Sequence, residues 1–127
     1  MVVVERTTKE RDEREEEDEM TVAMQKVLID SFVVPEESKA TFLERARRVQ
    51  SFLRTVPGFV EGFLHEKTEG EGRFNVVTTA VWENETAFEN AKKAAEEEFK
   101  KAGFNPRETM KELKIEVERA VYRRSPY

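Results

Sequence analysis

The 127-residue sequence contains no cysteine, and this absence excludes disulfide bonds, thiolate metal sites and cysteine nucleophiles. Its single histidine, His65, cannot hold a metal ion alone, so a conventional multi-histidine metal site is excluded as well. No apolar run approaches the roughly 20 residues that a membrane-spanning helix needs, and the N-terminus is too charged for a secretory signal. Glycine motifs for phosphate or dinucleotide binding are also missing. These absences predict a soluble, cytoplasmic protein without a metal centre.

Net charge is small outside the N-terminal segment. Residues 1–24 hold 9 acidic and 4 basic residues, whereas the other 103 residues hold 18 of each, so the net charge of −5 belongs to that segment. The eleven consecutive charges at 9–19 are typical of a solvated tail or an exposed helix; a specific interaction tail is the alternative. We therefore predict a charged extension at 1–24, one domain at 25–127, and no binding to nucleic acid or membrane.

Strand and helix patterns alternate along the domain in an order that defines the fold class. Strands appear as β-rich runs, and helices as apolar residues every three or four positions with capping residues at their starts. The predicted strands are 26–34, 59–68, 73–82 and 114–124, with long helices after Pro35 and after Asn84 or Thr86, and a short helix after Asn105. The order β-α-β-β-α-β predicts a ferredoxin-like α+β fold, in which an antiparallel sheet carries both long helices on one face.

Apolar residues on both faces of the strands predict a dimer. In the third strand, Val76, Thr78 and Trp82 share one face, whereas Val77 and Val81 lie on the other. Two helices cover only one face of a sheet, so the second apolar face needs another cover. We therefore predict a homodimer that forms through the open sheet face.

Several segments between about Lys26 and Arg124 resemble the antibiotic biosynthesis monooxygenase domain family. They are LIDSFVVP, VPGF, FLHEKTEGEGRFNVVTTAVWENETAFENA, and GFNP followed by VERAVYRR. The most specific pieces are the proline–glycine–phenylalanine at 57–59 and the pair Trp82–Glu83, which mark the fold rather than an activity. The family forms dimeric α+β barrels. Its members include cofactor-independent monooxygenases that oxidise polyketide-type aromatic compounds to quinones, haem-degrading enzymes, and proteins without assigned activity.

The resemblance implies a site on the first and third strands. Catalytic members commonly place a first-strand asparagine and a third-strand tryptophan in a pocket between sheet and helices. The tryptophan corresponds to Trp82, whereas the asparagine position falls on Asp30. Haem-degrading members use a histidine of the second long helix as iron ligand, but residues 84–102 contain none. The resemblance therefore implies oxygenation without a cofactor rather than haem chemistry.

Asp30 interrupts an apolar strand and has two interpretations. As a structural residue it pairs with an arginine such as Arg119 or Arg123, or faces outward at a bend. As a catalytic residue it is a general base in a dry pocket. Oxygenation without a cofactor requires a carbanion that passes an electron to O₂, so a base that deprotonates a phenol or anthrone is the one catalytic group needed.

The remaining candidates are aromatic or polar. Trp82 is either a core residue or a wall against which a flat ligand stacks. His65 is either a surface or interface residue or a group that orients the substrate. The substrate-binding candidates are Phe32, Phe63, Phe74, Thr78 and Tyr122; the phenylalanines have core packing as their alternative, and Tyr122 the dimer face.

The leading hypothesis is a homodimeric monooxygenase that oxidises a small aromatic or polyketide-like molecule with O₂. In this hypothesis Asp30 is the base, Trp82 stacks on the substrate and His65 orients it. The alternative is a non-catalytic homodimer of the same fold that only binds a small molecule. Fold alone does not decide between them.

Overall fold

The computed structural model describes the backbone of residues 8–125 and the side chains of residues 12–125. Within that range the chain forms four α-helices, four β-strands and a short 3₁₀ turn. In chain order these are α1 (Thr8–Met24), β1 (Lys26–Val33), the 3₁₀ turn (Glu36–Ser38), α2 (Lys39–Leu53), β2 (Phe59–Glu66), β3 (Val76–Trp82), α3 (Glu85–Lys101), α4 (Pro106–Glu112) and β4 (Glu116–Tyr122). None of these helices is long and apolar enough to cross a membrane.

The four strands form one antiparallel sheet in the order β2-β3-β1-β4. The central strand β1 contains valine, isoleucine and phenylalanine, and β3 contains valine, threonine and tryptophan, all residue types that favour strands. Because α2 connects β1 to β2 and α3 lies between β3 and β4, the arrangement is the split β-α-β of the ferredoxin-like fold. The predicted α+β fold class is confirmed, with α4 as the short extra helix before the last strand.

The run of charges near the N-terminus is helical. α1 contains it, and the side chains of residues 12–21 are exposed. Met20 and Met24 are 66% and 58% exposed, so the apolar residues at the end of α1 bury little surface. Of the structures predicted for this run, the exposed helix is the one observed. Residues 1–7 of the predicted extension lie outside the described residues.

Asn75 explains why β3 begins at Val76 and not at residue 73. Its side-chain Oδ1 accepts a hydrogen bond from the N–H of Val34, and its Nδ2 donates to the Val34 carbonyl, both at 2.8 Å. The N–H of Asn75 also donates to the Phe32 carbonyl at 2.9 Å. These bonds satisfy backbone groups where the regular ladder stops, and they tie the end of β1 to the start of β3.

Asparagine side chains cap α3 and α4. Asn84 Oδ1 accepts a hydrogen bond from the N–H of Ala87 at 2.9 Å, so Asn84 rather than Thr86 is the cap of α3. Asn105 Oδ1 accepts from the N–H of Glu108 at 3.3 Å and precedes a proline at the first helical position. Both caps fix where the helices begin above the sheet.

The turn between α2 and β2 passes so close to α3 that only glycine fits. Gly58 has φ of +87°, and a Cβ at this position would lie 2.4 Å from Cβ of Ala87. The N–H of Glu83 donates to the Gly58 carbonyl at 2.9 Å. The VPGF turn therefore holds the end of α2 against the start of α3.

The register assigns each side chain to one of two sheet faces. Asp30 pairs with Thr78 on one side and Arg119 on the other, and this row lies on the face covered by α2, α3 and α4. Ile29 pairs with Thr79 and belongs to the opposite face, which we call the open face. The larger apolar residues of the open face are Val27, Ile29, Phe63, Val77, Val81 and Tyr122.

The core lies between the sheet and the helices in two clusters. One is centred on Phe32, Phe42 and Val76, with the two phenylalanine ring centroids 4.7 Å apart. The other is centred on Trp82 and Phe88. The row of the sheet that contains Asp30 runs between them, so the helix-covered face has a polar strip between two apolar ends.

Candidate functional site

A cleft of about 1000 Å³ lies between the sheet and helices α2, α3 and α4, and we call it the helix-side cleft. Its size is that of small-molecule sites, which range over roughly 300–1,000 Å³ and combine apolar walls with a few polar groups. The sheet contributes Leu28, Asp30, Phe32, Thr78 and Ala80. The apolar walls include Phe42, Val49, Leu53, Phe99, Phe104 and Met110.

Asp30 is the buried charge on the floor of this cleft, with 7% of its surface exposed. Arg119 on β4 holds it with two parallel hydrogen bonds: Nε donates to Oδ1 and Nη2 donates to Oδ2, each at 2.8 Å. This fork is the geometry in which arginine binds a carboxylate most strongly. The structural interpretation of Asp30 named Arg119 as one of two partners, and the register selects it because the two residues are direct cross-strand neighbours.

The pairing also acts on Arg119. Its hydrogen bonds to Asp30 raise the pKa of the guanidinium above its ordinary value, so Arg119 stays charged throughout the pH range of an activity assay. Asp30 therefore always faces a cation on one side. Each carboxylate oxygen has a second lone pair, so the pairing leaves acceptor capacity for a ligand in the cleft.

Two neutral polar residues also line the cleft. Thr78 on β3 is the other cross-strand neighbour of Asp30 and lines the cleft. Gln50 on α2 is buried, and its Nε2 donates a hydrogen bond to the Thr79 carbonyl at 3.3 Å. Its Oε1 is the one buried side-chain nitrogen or oxygen atom within residues 12–125 that has no hydrogen-bond partner. A buried acceptor without a donor costs free energy. A ligand hydroxyl that reached Gln50 would offset that cost.

Phe32 and Trp82 both lie on the helix-covered face but in different surroundings. Phe32 lines the cleft and packs on Phe42. Trp82 is 2% exposed and packs edge-on against Phe59, with ring centroids 5.4 Å apart, inside the second core cluster. It is not among the residues that line the cleft. The structure thus gives Trp82 the surroundings of a core residue, and a ligand in the cleft does not meet its ring in this conformation.

Four other candidates lie away from the cleft. His65 and Phe63 pair with Val77 and Thr79, which puts them on the open face, and Tyr122 pairs with Val27 on the same face. The expected grouping of His65 with Asp30 and Trp82 in one pocket is therefore not observed, because alternate residues of a strand point to opposite faces. Phe74 precedes β3, is half-buried and does not line the cleft. Of the eight candidates, Asp30, Phe32 and Thr78 meet in the cleft.

Sequence reasoning missed the basic side chains around the cleft and Gln50. Arg45 on α2, Lys100 on α3, and Arg107 and Lys111 on α4 all line it. Two signals were present in the sequence: Arg107 and Lys111 are four residues apart and so share one side of a helix, and Gln50 interrupts the apolar stripe of α2. No group of three or more metal-ligating side chains occurs in the described part of the chain.

The chain belongs to the antibiotic biosynthesis monooxygenase family. The family model matches residues 24–102, which include α2, α3 and the three strands β1 to β3. The resemblance noted from the sequence is thereby confirmed. No curated protein matches the chain.

Solved structures of similar fold cover most of this chain. One is SnoaB, a cofactor-independent oxygenase from Streptomyces nogalater, with 24% identity over 83% of this chain and 97% of its own, and a TM-score of 0.60. A conserved protein from Methanosarcina mazei Go1 has 14% identity over 84% and 99%, with a TM-score of 0.66. A conserved protein of unknown function from Bacteroides thetaiotaomicron has 16% identity over 80% and 98%, with a TM-score of 0.62. At these identities the likeness shows the shared fold.

Proposed function

We propose that this protein is a homodimeric, cofactor-independent monooxygenase that oxidises a small aromatic or polyketide-like molecule with O₂ in the helix-side cleft. The observation that carries the proposal is Asp30, a buried carboxylate on the floor of a largely apolar cleft. Membership in the antibiotic biosynthesis monooxygenase family supports the reaction class. The likeness to SnoaB, a cofactor-independent oxygenase, is consistent with the same chemistry.

The reaction we propose needs one protein base and an activated substrate. With an anthrone, Asp30 takes a proton from the ring CH₂ group, and the resulting carbanion passes one electron to O₂. The substrate radical and superoxide then combine to form a C–O bond. The peroxide takes up a proton, the second C–H proton leaves, and the O–O bond breaks to give a ketone and water. One oxygen atom enters the product and the substrate supplies all the electrons.

Other cleft residues have supporting roles in this scheme. Thr78, the cross-strand neighbour of Asp30, and Gln50 on α2 hold the hydroxyl groups of the substrate, since both line the same cleft as Asp30. Phe32, Phe99 and Phe104 bind its rings. Apolar walls also exclude water, which keeps a carbanion from being reprotonated before it meets O₂.

The test is oxygen uptake by the purified protein with a dihydroxyanthrone as substrate, measured with an oxygen electrode after treatment with a chelator. We expect uptake above the rate of the buffer alone, with one dihydroxyanthraquinone formed per O₂ consumed. Absence of uptake with a panel of anthrones and hydroquinones would contradict the proposed activity.

A second candidate function is non-catalytic binding of a small molecule in the same cleft. The observation that favours it is the fork between Asp30 and Arg119, because both carboxylate oxygens already accept a hydrogen bond. An aspartate that only joins β4 to β1 through an ion pair has no role as a base. Binding of the anthraquinone without any oxygen uptake would be the result expected of this candidate.

We propose that the homodimer forms through the open face of the sheet. Phe63 and Tyr122 are 50% and 53% exposed on it, beside Val27 and Ile29, whereas α2, α3 and α4 all pack on the other face. Apolar side chains of this size in one continuous area need a cover. A second copy of the same face supplies one by two-fold symmetry. In this dimer His65 is an interface residue.

A further inference from the structure

The helix-side cleft is bordered mainly by basic side chains, although the domain that contains it has no net charge. Residues 25–127 hold 18 acidic and 18 basic residues. The residues that line the cleft nevertheless include five basic side chains, Arg45, Lys100, Arg107, Lys111 and Arg119, and only two carboxylates, Asp30 and Glu96. Because Asp30 and Arg119 neutralise each other, four cations and one carboxylate remain. The cleft is therefore an electropositive area on a domain whose net charge is zero.

These four cations lack the partners that surface cations usually have. Within residues 12–125, none of the four lies within 4.0 Å of a carboxylate oxygen. They also come from three different helices, α2, α3 and α4. All four are exposed and line the cleft, so they lie where it opens to solvent. Unpaired charges of one sign that border an apolar cavity focus the electrostatic potential there and raise the local concentration of ions of opposite sign.

The interior of the same cleft is aromatic. Phe32 and Phe42 pack together at one end, and Phe99 and Phe104 lie edge-to-face at 5.4 Å where α3 approaches α4. The guanidinium of Arg45 stands 5.9 Å from the ring centroid of Phe104, which places a cation directly beside an aromatic surface. A ligand that fits both features has a flat apolar body and a negative group at one end.

We propose that the ligand of the helix-side cleft is an aromatic carboxylate, whose rings lie among the phenylalanines and whose carboxylate is bound at the opening by Lys100, Arg107, Lys111 and Arg45. The inference rests on the proposed function, because it names the substrate class of the same cleft. Glu96 is the one unpaired carboxylate among the lining residues and opposes the binding of such a ligand.

The test compares two probes that share their rings and differ in charge, naphthoate and naphthamide, by isothermal titration calorimetry at low ionic strength. We expect naphthoate to bind more tightly than naphthamide, and the difference to shrink in high salt because mobile ions screen exposed charges. Replacement of one cation, as in Lys100→Ala or Arg107→Ala, should weaken naphthoate binding by roughly two- to fivefold, the range of a single exposed ion pair, and leave naphthamide binding unchanged. Glu96→Gln should tighten naphthoate binding.

The chain offers a neighbouring control for each change. Lys101→Ala and Glu97→Gln alter the same charges one position along α3, at exposed residues that do not line the cleft. If a cleft variant and its neighbour changed naphthoate binding equally, the effect would come from the overall charge of the protein and not from the cleft, and the proposal would be overturned. Equal affinity of the wild type for the two probes would also overturn it. Binding of both probes with equal affinity leaves the cleft as a site for neutral aromatic molecules. If neither probe binds, the inference fails, whereas the proposed function is tested separately by oxygen uptake with a dihydroxyanthrone.

Discussion

The variant Asp30→Asn should lose oxygen uptake with a dihydroxyanthrone by about 10²–10⁴-fold, the usual contribution of a general base. The amide keeps the size of the side chain but cannot take the proton of the substrate. Its NH₂ group also replaces one acceptor of the Arg119 fork, so the thermal unfolding of the variant has to be measured beside its activity. Asp18→Asn is the control, since Asp18 is an exposed aspartate on α1.

Arg119→Gln separates catalysis by Asp30 from the structural role of the ion pair. It removes the fork but leaves the carboxylate in the cleft, so if Asp30 is the base we expect this variant to take up oxygen much faster than Asp30→Asn. If the pair only joins β4 to β1, both variants should lose activity in proportion to their loss of stability. That second pattern would remove Asp30 from the chemistry.

The variant Phe63→Lys should dissociate the proposed homodimer, with the dimer dissociation constant raised by at least about 30-fold. Phe63 is 50% exposed at the middle of β2 on the open face, and loss of a buried aromatic anchor at an interface typically costs about 2 kcal/mol or more. Because the dimer has two-fold symmetry, the substitution occurs twice in the interface. Each new lysine charge must either lose its hydration on burial or displace the contact so that it stays in water, and both outcomes cost free energy. Sedimentation velocity over a range of concentrations measures the fraction of protein that sediments as a dimer, whose mass is twice the chain mass of 14.9 kDa.

Val121→Lys is the matched control for the dimer. Val121 is 49% exposed on β4, so the exposure and the new charge are the same as in Phe63→Lys. It pairs with Leu28 and thus lies on the helix-covered face. Val121→Lys should leave the dimer intact. A wild-type protein that sediments as a monomer at all concentrations, or a dimer that both variants disrupt equally, would contradict an interface on the open face.

Hydrophobic periodicity and capping residues were sufficient to predict the fold. Asn84, Asn105 and the VPGF turn each mark an element boundary by a mechanism that acts within a few residues, and the structure uses all three in that way. The start of β3 could not be predicted in the same way. Asn75 ends the regular ladder through bonds to Val34, which is 41 residues away in the chain.

The site was less predictable than the fold because it depends on which face of the sheet each strand residue lies on. The face of β1 on which Asp30 lies could not be decided from the sequence, and the register puts it on the same face as Thr78. His65 and Phe63 lie on the other face, because β2 pairs with β3 with a shift between Phe59 and Glu61 that no sequence pattern marks. The cations at the opening come from three helices, and their convergence is a property of the folded chain that spacing along one helix cannot reveal.

Methyl NMR spectra recorded during titration with a dihydroxyanthraquinone will show whether an aromatic ligand binds in the helix-side cleft. We expect the methyl signals of Leu28, Val49 and Met110 to shift, because these residues line the cleft. We expect no shift for Ile29 and Val77, which lie on the open face one residue from cleft-facing neighbours. Shifts confined to the open-face methyl groups would place the ligand outside the cleft and refute the proposed site.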